Sequence, residues 1–290
     1  MFGIVGIVVI FVCVFGGYLL AGGKMGIILY SLPFEMMIIL GSAAGAFFIG
    51  NELAVVKQTM KDMGKVFKGP NWVAQDYEDL LVLMFSLIRV SRQNPLELEE
   101  HIENPQESTF FTQYPKICAD HEAVDLICDT MRSAGMNYDD PHQVQDVLEN
   151  RIEGNFHHAQ HSSHALQTMA DGLPALGIVA AVLGVIKTMG SIDQPPEVLG
   201  GMIGGALVGT FLGVFMAYGF VGPFAAKVKA VVDDEQNFYG LIQEVMIANL
   251  HKHPPNICVE VGRQNTPHDK RPSFNGLDEA LRSGKQEVAA

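Results

Sequence analysis

Charge is scarce in this sequence. Of 290 residues only 18% are Asp, Glu, Lys or Arg, while 48% are hydrophobic and the mean hydropathy is +0.20. That balance excludes an ordinary all-soluble domain. Basic charge is scarcer still: 19 Lys and Arg against 32 Asp and Glu leave a net −13. A surface of that sign excludes nucleic acid as a partner, because phosphates call for Lys and Arg patches. It equally excludes broad adhesion to anionic lipid surfaces. Cysteines number four, Cys13, Cys118, Cys128 and Cys258, without a CxxC spacing. They read as unpaired thiols in a reducing compartment or in the bilayer. No Walker loop, GxSxG or HExxH is present, so neither an enzyme nor a cofactor is expected. Long β-branched alternation is also missing, which excludes a sheet.

What is present is apolar and blocked. Four runs, at about residues 2–21, 33–50, 173–189 and 198–221, hold roughly 17 to 24 residues each, enough to cross a hydrocarbon core of about 30 Å. They lack two-residue alternation, so they read as helices rather than barrel strands. The first run has no basic residue before it and no obvious small-x-small cleavage site. It therefore reads as a retained helix, not a signal peptide.

Lys and Arg near the run ends set the orientation. Lys57, Lys61, Lys65 and Lys68 follow the second run, and Lys227 and Lys229 follow the fourth. The first short connection holds Lys24 and the second holds none. The positive-inside rule then puts the long loop and both termini in the cytoplasm. The fold expected is an all-α membrane protein: four transmembrane helices with a large helical cytoplasmic insertion between helices 2 and 3. The divisions are 1–50 (helices 1 and 2), 51–170 (cytoplasmic insertion), 171–223 (helices 3 and 4) and 224–290 (cytoplasmic tail). Within the insertion, residues 77–90 carry apolar side chains at i, i+3, i+4, and 110–131 and 142–152 read similarly. Asn104-Pro105 and Asp140-Pro141 mark breaks.

The fourth run carries Gly201, Gly205, Gly209 and Gly213, then Ala217, all four apart. Such a stripe lets helix backbones approach closely in a membrane, either within the chain or against another chain. Gly177, Ala180, Ala181 and Gly184 make a complementary face on the third run, and Gly41 and Gly45 add to the second. The glycine-rich run lies inside an apolar block, so it is no phosphate loop. Thr210 is a mid-span polar group, with Tyr218 two turns on; the hydroxyl of Thr210 either lines a path or bonds back to its own helix. Pro174 opens the third run in a first-turn position, and Pro223 closes the fourth. No ionisable residue lies at mid-span: Glu35 and Asp171 sit near run ends, and Lys187 can snorkel outward. A proton path built here needs its carboxylate from a different chain.

Two charged clusters stay open between readings. Arg89, Arg92, Glu97, Glu99, Glu100, Glu103 and Glu107 form either a solvated helix face or an electrostatic docking surface. His157, His158, His161 and His164 have helical spacing but no completing Cys or carboxylate, so a polar approach to the third run outweighs a metal site, and no metal is expected.

Longer motifs resemble a known family. LPALGIVAAVLGVIKTMGS (173–191) followed by LVGTFLGVFMAYGFVGPFA (207–225) is similar to the paired third and fourth helices of the MotA family. PFEMMIILGSAAGAFFIGN (33–51), SRQ (91–93), IENPQES (102–108), VEVGR (259–263) and RPSF (271–274) extend the resemblance over nearly the whole chain, in order. It implies a flagellar stator subunit of the bacterial inner membrane. Five copies would surround two copies of MotB, whose single helix supplies the ion-binding aspartate and whose remainder anchors to peptidoglycan. Ion flow would turn the ring and push on the rotor protein FliG, driving motility under chemotaxis. Residue by residue, Arg92 matches the family's basic rotor contact and Glu99 the acidic one. This chain is one residue shorter near Asn94-Pro95, so Glu100 shares that claim. Pro174 and Pro223 match prolines tied to coupling, and Thr210 a hydroxyl on the ion path. Ala181 falls where sodium-driven relatives carry a second threonine, which points to protons. The alternative is a proton-driven energiser of the ExbB or TolQ type. Those have three spans, so the four runs, the RPSF tail and the charged loop favour the flagellar reading.

Overall fold

A computed structural model of the chain describes residues 2–135 and 140–287, and every regular element among them is helical. Helix α1 (Phe2–Phe11) passes through a π-helical turn, Val12–Gly16, into α2 (Gly17–Leu20). Gly22, at φ +83°, reverses the chain in a conformation that side chains rarely tolerate. Then follow α3 (Met25–Gly50), α4 (Leu53–Asp62), α5 (Lys65–Lys68), α6 (Ala74–Gln93), α7 (Pro95–Glu103), α8 (Pro115–Cys118) and α9 (His121–Gly135). Helices α10 (Pro141–Met189) and α11 (Pro196–Met216) come next. A second π turn, Ala217–Val221, leads into α12 (Gly222–Leu250), and α13 (Pro255–Asn265) and α14 (Phe274–Glu287) end the described chain.

Four helical stretches are long and apolar enough to cross a membrane: Gly3–Leu20, Met25–Gly50, His142–Met189 and Pro196–Leu250. The observed helix boundaries correct three expectations. The second span begins at Met25, not near residue 33, so Pro33 and Glu35 lie inside α3. Pro174 is not a first-turn residue: α10 runs 49 residues and holds it in the interior, where it withholds the N–H that would bond the Ala170 carbonyl. The run 110–131 is not one helix. Phe110–Tyr114 turns, α8 is a single turn, and Asp120 Oδ1 caps α9 by accepting the Ala123 N–H at 2.9 Å.

The chain divides into two compact units, Met1–Gly69 with His158–Val231, and Pro70–His157 with Val232–Ala290. In the first unit, Ile39, Ala43, Leu173, Ala180, Leu212 and Ala217 form the buried centre. Side chains such as Leu20, Tyr30 and Ile49 face outward, as a lipid-solvated surface permits. Phe11 and Phe15 hold the first span to Phe211, Phe215 and Phe220, with ring centroids 5.6–6.1 Å apart. In the same unit Asp62, fully buried, accepts from Ser162 Oγ at 2.7 Å and Gln58 Nε2 at 2.9 Å, with Lys65 Nζ 3.3 Å away.

In the second unit α6 is the central element. Leu80 through Phe85, Leu87, Ile88 and Val90 are all buried, so this helix is covered on nearly every side. Trp72 stacks on Phe238 at 3.8 Å and 5°, and Tyr77 meets Phe238 edge-on at 5.3 Å. Lys270 closes the cluster. Its ammonium donates to the Trp72 carbonyl at 2.8 Å, pairs with Asp234, and lies 5.4 Å over the Tyr77 ring. Tyr239 donates to the Asp120 carboxylate at 3.2 Å; burial and that carboxylate hold its phenol well above the usual range. Cys128 is buried and its thiol is pushed up to about 12, chiefly by desolvation, which makes it inert.

Candidate functional site

The glycine stripe of α11 is the contact around which the first unit is built. A side chain begun at Gly213 would lie 2.7 Å from the Leu173 carbonyl oxygen and 2.8 Å from Gly177 Cα. At Gly209 it would meet Glu35 Oε2 at 2.6 Å, Ala180 Cβ at 3.0 Å and the Ala181 nitrogen at 3.2 Å. At Gly205 it would meet Ser31 Oγ at 2.7 Å. A β-carbon is crowded at all three positions: α10 presses on Gly213, α3 on Gly205, and both helices on Gly209. Gly177 answers from α10: its β-position is 2.9 Å from the Gly209 carbonyl. Gly201 differs, with nothing within 4 Å, and so do Gly41 and Gly45 on α3. The α3 face that packs on α11 is instead Ser31 and Glu35, with Ile39 and Ala43 buried further along the same i, i+4 row.

One of the residues read as an ion path, Ala181, lies at this crossing. Ala181 touches the Gly209 position, and Thr210, half-buried, is the next residue on α11. Among the described residues the hydroxyl of Thr210 makes no back-bond to its helix, unlike Thr188, which donates to Gly184 at 2.9 Å. Tyr218 is 73% exposed and sits in the second π turn, a local widening that recurs at functional sites. Pro223, exposed, follows as the second residue of α12. Pro174 is half-buried and adjoins Leu173, whose carbonyl meets Gly213. One participant was misplaced in the sequence reading. Glu35 is the eleventh residue of a 26-residue span and only 8% exposed, so an ionisable group does lie well inside a span. The signal was available, since GIILYSL before Pro33 extends the apolar run upstream.

The rotor-contact candidates lie in the second unit. Arg92, exposed, donates to Asn249 Oδ1 at 2.8 Å and to the His253 carbonyl. It thereby braces the C-terminal turn of α12, where Lys252 takes φ +62°. The same guanidinium partly offsets the burial that raises the Cys258 thiol. Glu99 and Glu100 are both exposed on α7, so exposure does not separate them. Other members of the charged run are engaged internally. Glu97 accepts from Asn94, and Glu103 pairs with Arg132 at 3.1 Å in a network that continues through Asp129, Arg151 and Glu122. His157, His158, His161 and His164 all point outward, and no trio of His, Cys, Asp or Glu among the described residues is placed to hold a metal.

Two closely packed apolar helices, uncharged from Gly172 to Ile186 and from Val198 to Met216, form the core of a helical membrane protein. Two family descriptions match: Motility protein A N-terminal over residues 4–95, and the MotA/TolQ/ExbB proton channel family over residues 123–239. Motility protein A of Escherichia coli K12 is 37% identical over 97% of this chain and 95% of its own length. Chemotaxis protein LafT of Vibrio parahaemolyticus is 34% identical over 95% and 96%. The fold is shared with the C. jejuni MotAB structure, at TM-score 0.73 and 21% identity, covering 94% of this chain and 98% of that one. The chain belongs to the MotA/TolQ/ExbB proton channel family, in its motility protein A branch.

Proposed function

We propose that the chain is the ring-forming subunit of a flagellar stator in the bacterial inner membrane, which conducts protons together with MotB and turns their flow into torque. One observation carries the mechanism. Between Gly172 and Ile186 on α10, and between Val198 and Met216 on α11, no side chain is acidic or basic. These two helices bring no acid of their own to a path that they line, and a MotB helix fills that role. Thr210 and Ala181 line that path near Gly209, and Tyr218 continues it in the exposed π turn after α11. Ala181 contributes no oxygen where a sodium site would want one, so the coupling ion is the proton.

Pro174 and Pro223 sit where α10 and α12 lack a backbone hydrogen bond, which makes them the points at which helices yield as the partner acid gains and loses its proton. Five copies form the ring. Residues 1–50 and 171–223 cross the membrane, while 51–170, 224–290 and both termini are cytoplasmic, consistent with Lys57, Lys61, Lys65, Lys68, Lys227 and Lys229 beside the spans. Arg92 and Glu99 present the charges that meet FliG.

The test is swimming speed of a strain lacking its own motility protein A, complemented with this chain and its MotB, across external sodium and with a protonophore. Speed that ignores sodium and collapses with the protonophore is expected. Speed that follows sodium overturns the ion assignment. Absence of motility despite membrane insertion and partner binding overturns the stator assignment.

A further inference from the structure

Glu35 is unaccounted for by the path just described. It is a carboxyl side chain more than nine-tenths buried, on the face of α3 that packs against α11. Its Oε2 atom is shut off from solvent and has no hydrogen-bond partner among the described residues. It is aimed into the small-residue groove, 2.6 Å from the β-position of Gly209, a point that also lies 3.0 Å from Ala180 Cβ and 3.2 Å from the Ala181 nitrogen. An acid of this chain thus meets the wall of the proposed path at Gly209.

Among the described residues no ion pair balances an ionised Glu35. On α11 the nearest charged residue is Glu197, in the first turn, and on α10 the nearest are Asp171 and Lys187, outside the stretch that meets Gly209. The first span has no charged residue at all. A polar neighbour along the groove is Ser31, a turn away on the same helix and laid against Gly205. An isolated carboxylate in such surroundings costs far more than a neutral acid, which costs about as much as an ordinary unpaired polar group. If the side chain served only to fill space, an apolar residue of the same size would do so without that cost.

We infer that Glu35 is a second proton-binding site of the stator, carried by this chain rather than its partner, which gives up and regains a proton as the α3–α11 contact at Gly209 loosens and closes in each transport step. The inference rests on the stator reading. When the contact is closed the acid is neutral. When it loosens, water reaches Oε2, the O–H bond breaks heterolytically and the proton passes to that water. Reclosing needs a proton back from water, because the ionised form does not fit the dry groove. Ring movement and proton occupancy are thereby tied together at Gly209.

The experiment uses the full chain with its partner in the complemented strain, comparing the wild type, Glu35→Gln and Glu35→Asp. Gln keeps shape and neutrality but cannot release a proton. The expected result is a torque loss of about tenfold or more for Glu35→Gln with unchanged yield of the complex, and partial torque with a shifted pH profile for Glu35→Asp. Wild-type torque for Glu35→Gln at every pH overturns the inference. Should Glu35→Gln fail to assemble, infrared spectroscopy decides, on purified complex whose partner acid has been replaced by its amide. A protonated-carboxyl band that shifts in D2O and vanishes reversibly at alkaline pH supports the site; its absence overturns it. A wild-type chain that restores no motility overturns the stator reading itself, and the transport role of Glu35 with it.

Discussion

The carbonyl oxygen of Leu173 lies 2.7 Å from the point at which a side chain on Gly213 would begin. Because Pro174 follows Leu173, this close approach falls beside the residue that interrupts the α10 hydrogen-bond ladder. Any movement of α10 about Pro174 is therefore felt at once by α11. The stripe that reads as uniform in sequence is uneven in space: Gly205 is pressed by α3, Gly213 by α10 and Gly209 by both, and Gly201 stands in the open.

That difference makes a direct prediction. Gly213→Ala and Gly209→Ala overpack the crossing, which typically costs about 1–3 kcal/mol. Both should lower the unfolding temperature of the purified complex and slow or stop swimming. Gly201→Ala should leave the stability of the subunit unchanged. If Gly201→Ala nevertheless weakens assembly in detergent, measured by the size of the complex, Gly201 faces a second chain. Equal loss at all three positions would contradict the packing described.

A second prediction concerns the ring stack in the other unit. Trp72 is 1% exposed, stacked on Phe238 and bonded through its carbonyl to Lys270. Truncating a buried aromatic of this size costs about 3–5 kcal/mol. Trp72→Ala should destabilise the chain enough to reduce its steady-state level, read by immunoblot, whereas Trp72→Phe should retain most of it. Similar levels for the two variants would show that the stack contributes little.

Much of this architecture is legible in the sequence, for reasons tied to particular residues. Four apolar blocks announce the spans because lipid demands long uninterrupted runs, and the helical reading of 77–90 holds because its apolar positions are dense enough to be buried all round. The start of α3 was missed because Pro33 and Glu35 both resemble punctuation, yet tertiary packing against Gly205 and Gly209 carries the helix through them. Pro174 misled in the same way, since a 49-residue helix absorbs a proline that a short one would not. The Asp120 cap was hidden inside an apolar run. The Trp72, Phe238 and Lys270 cluster could not be read at all: Lys270 bonds a carbonyl 198 residues away, and no local pattern encodes that pairing.

Arg92 separates two roles that sequence resemblance cannot. Its guanidinium braces Asn249 and the His253 carbonyl, so it is a structural tie as well as an exposed charge. Arg92→Ala should speed hydrogen exchange at the end of α12, around Lys252 and His253, by removing charge-assisted bonds of about 1.5–3 kcal/mol in favourable cases, discounted here for exposure. On the proposal that Arg92 meets the rotor, Arg92→Glu should cost more torque than Arg92→Ala at similar exchange rates. If torque loss simply tracks faster exchange across both variants, the side chain acts through the turn and not through the rotor.

The tail offers a pH test with a defined sign. Glu260 accepts from Arg263 at 2.7 and 2.8 Å, and those hydrogen bonds hold its carboxyl below the ordinary value of 4.5. A group lowered in the folded state adds stability above its unfolded pKa and loses it as pH falls through the folded one. Glu244 works the other way. Burial and Glu149 raise it, so its contribution is present at low pH and fades as pH rises through its folded value. Comparing Glu260→Gln with the wild type isolates the first effect, because Glu244 is common to both. In thermal unfolding of the purified complex between pH 7 and about pH 3, the gap between wild type and Glu260→Gln should be widest near neutrality and close toward the acid end. A gap that stays constant across that range would mean that the Glu260–Arg263 pair stabilises the tail through packing alone, with its charge contributing nothing.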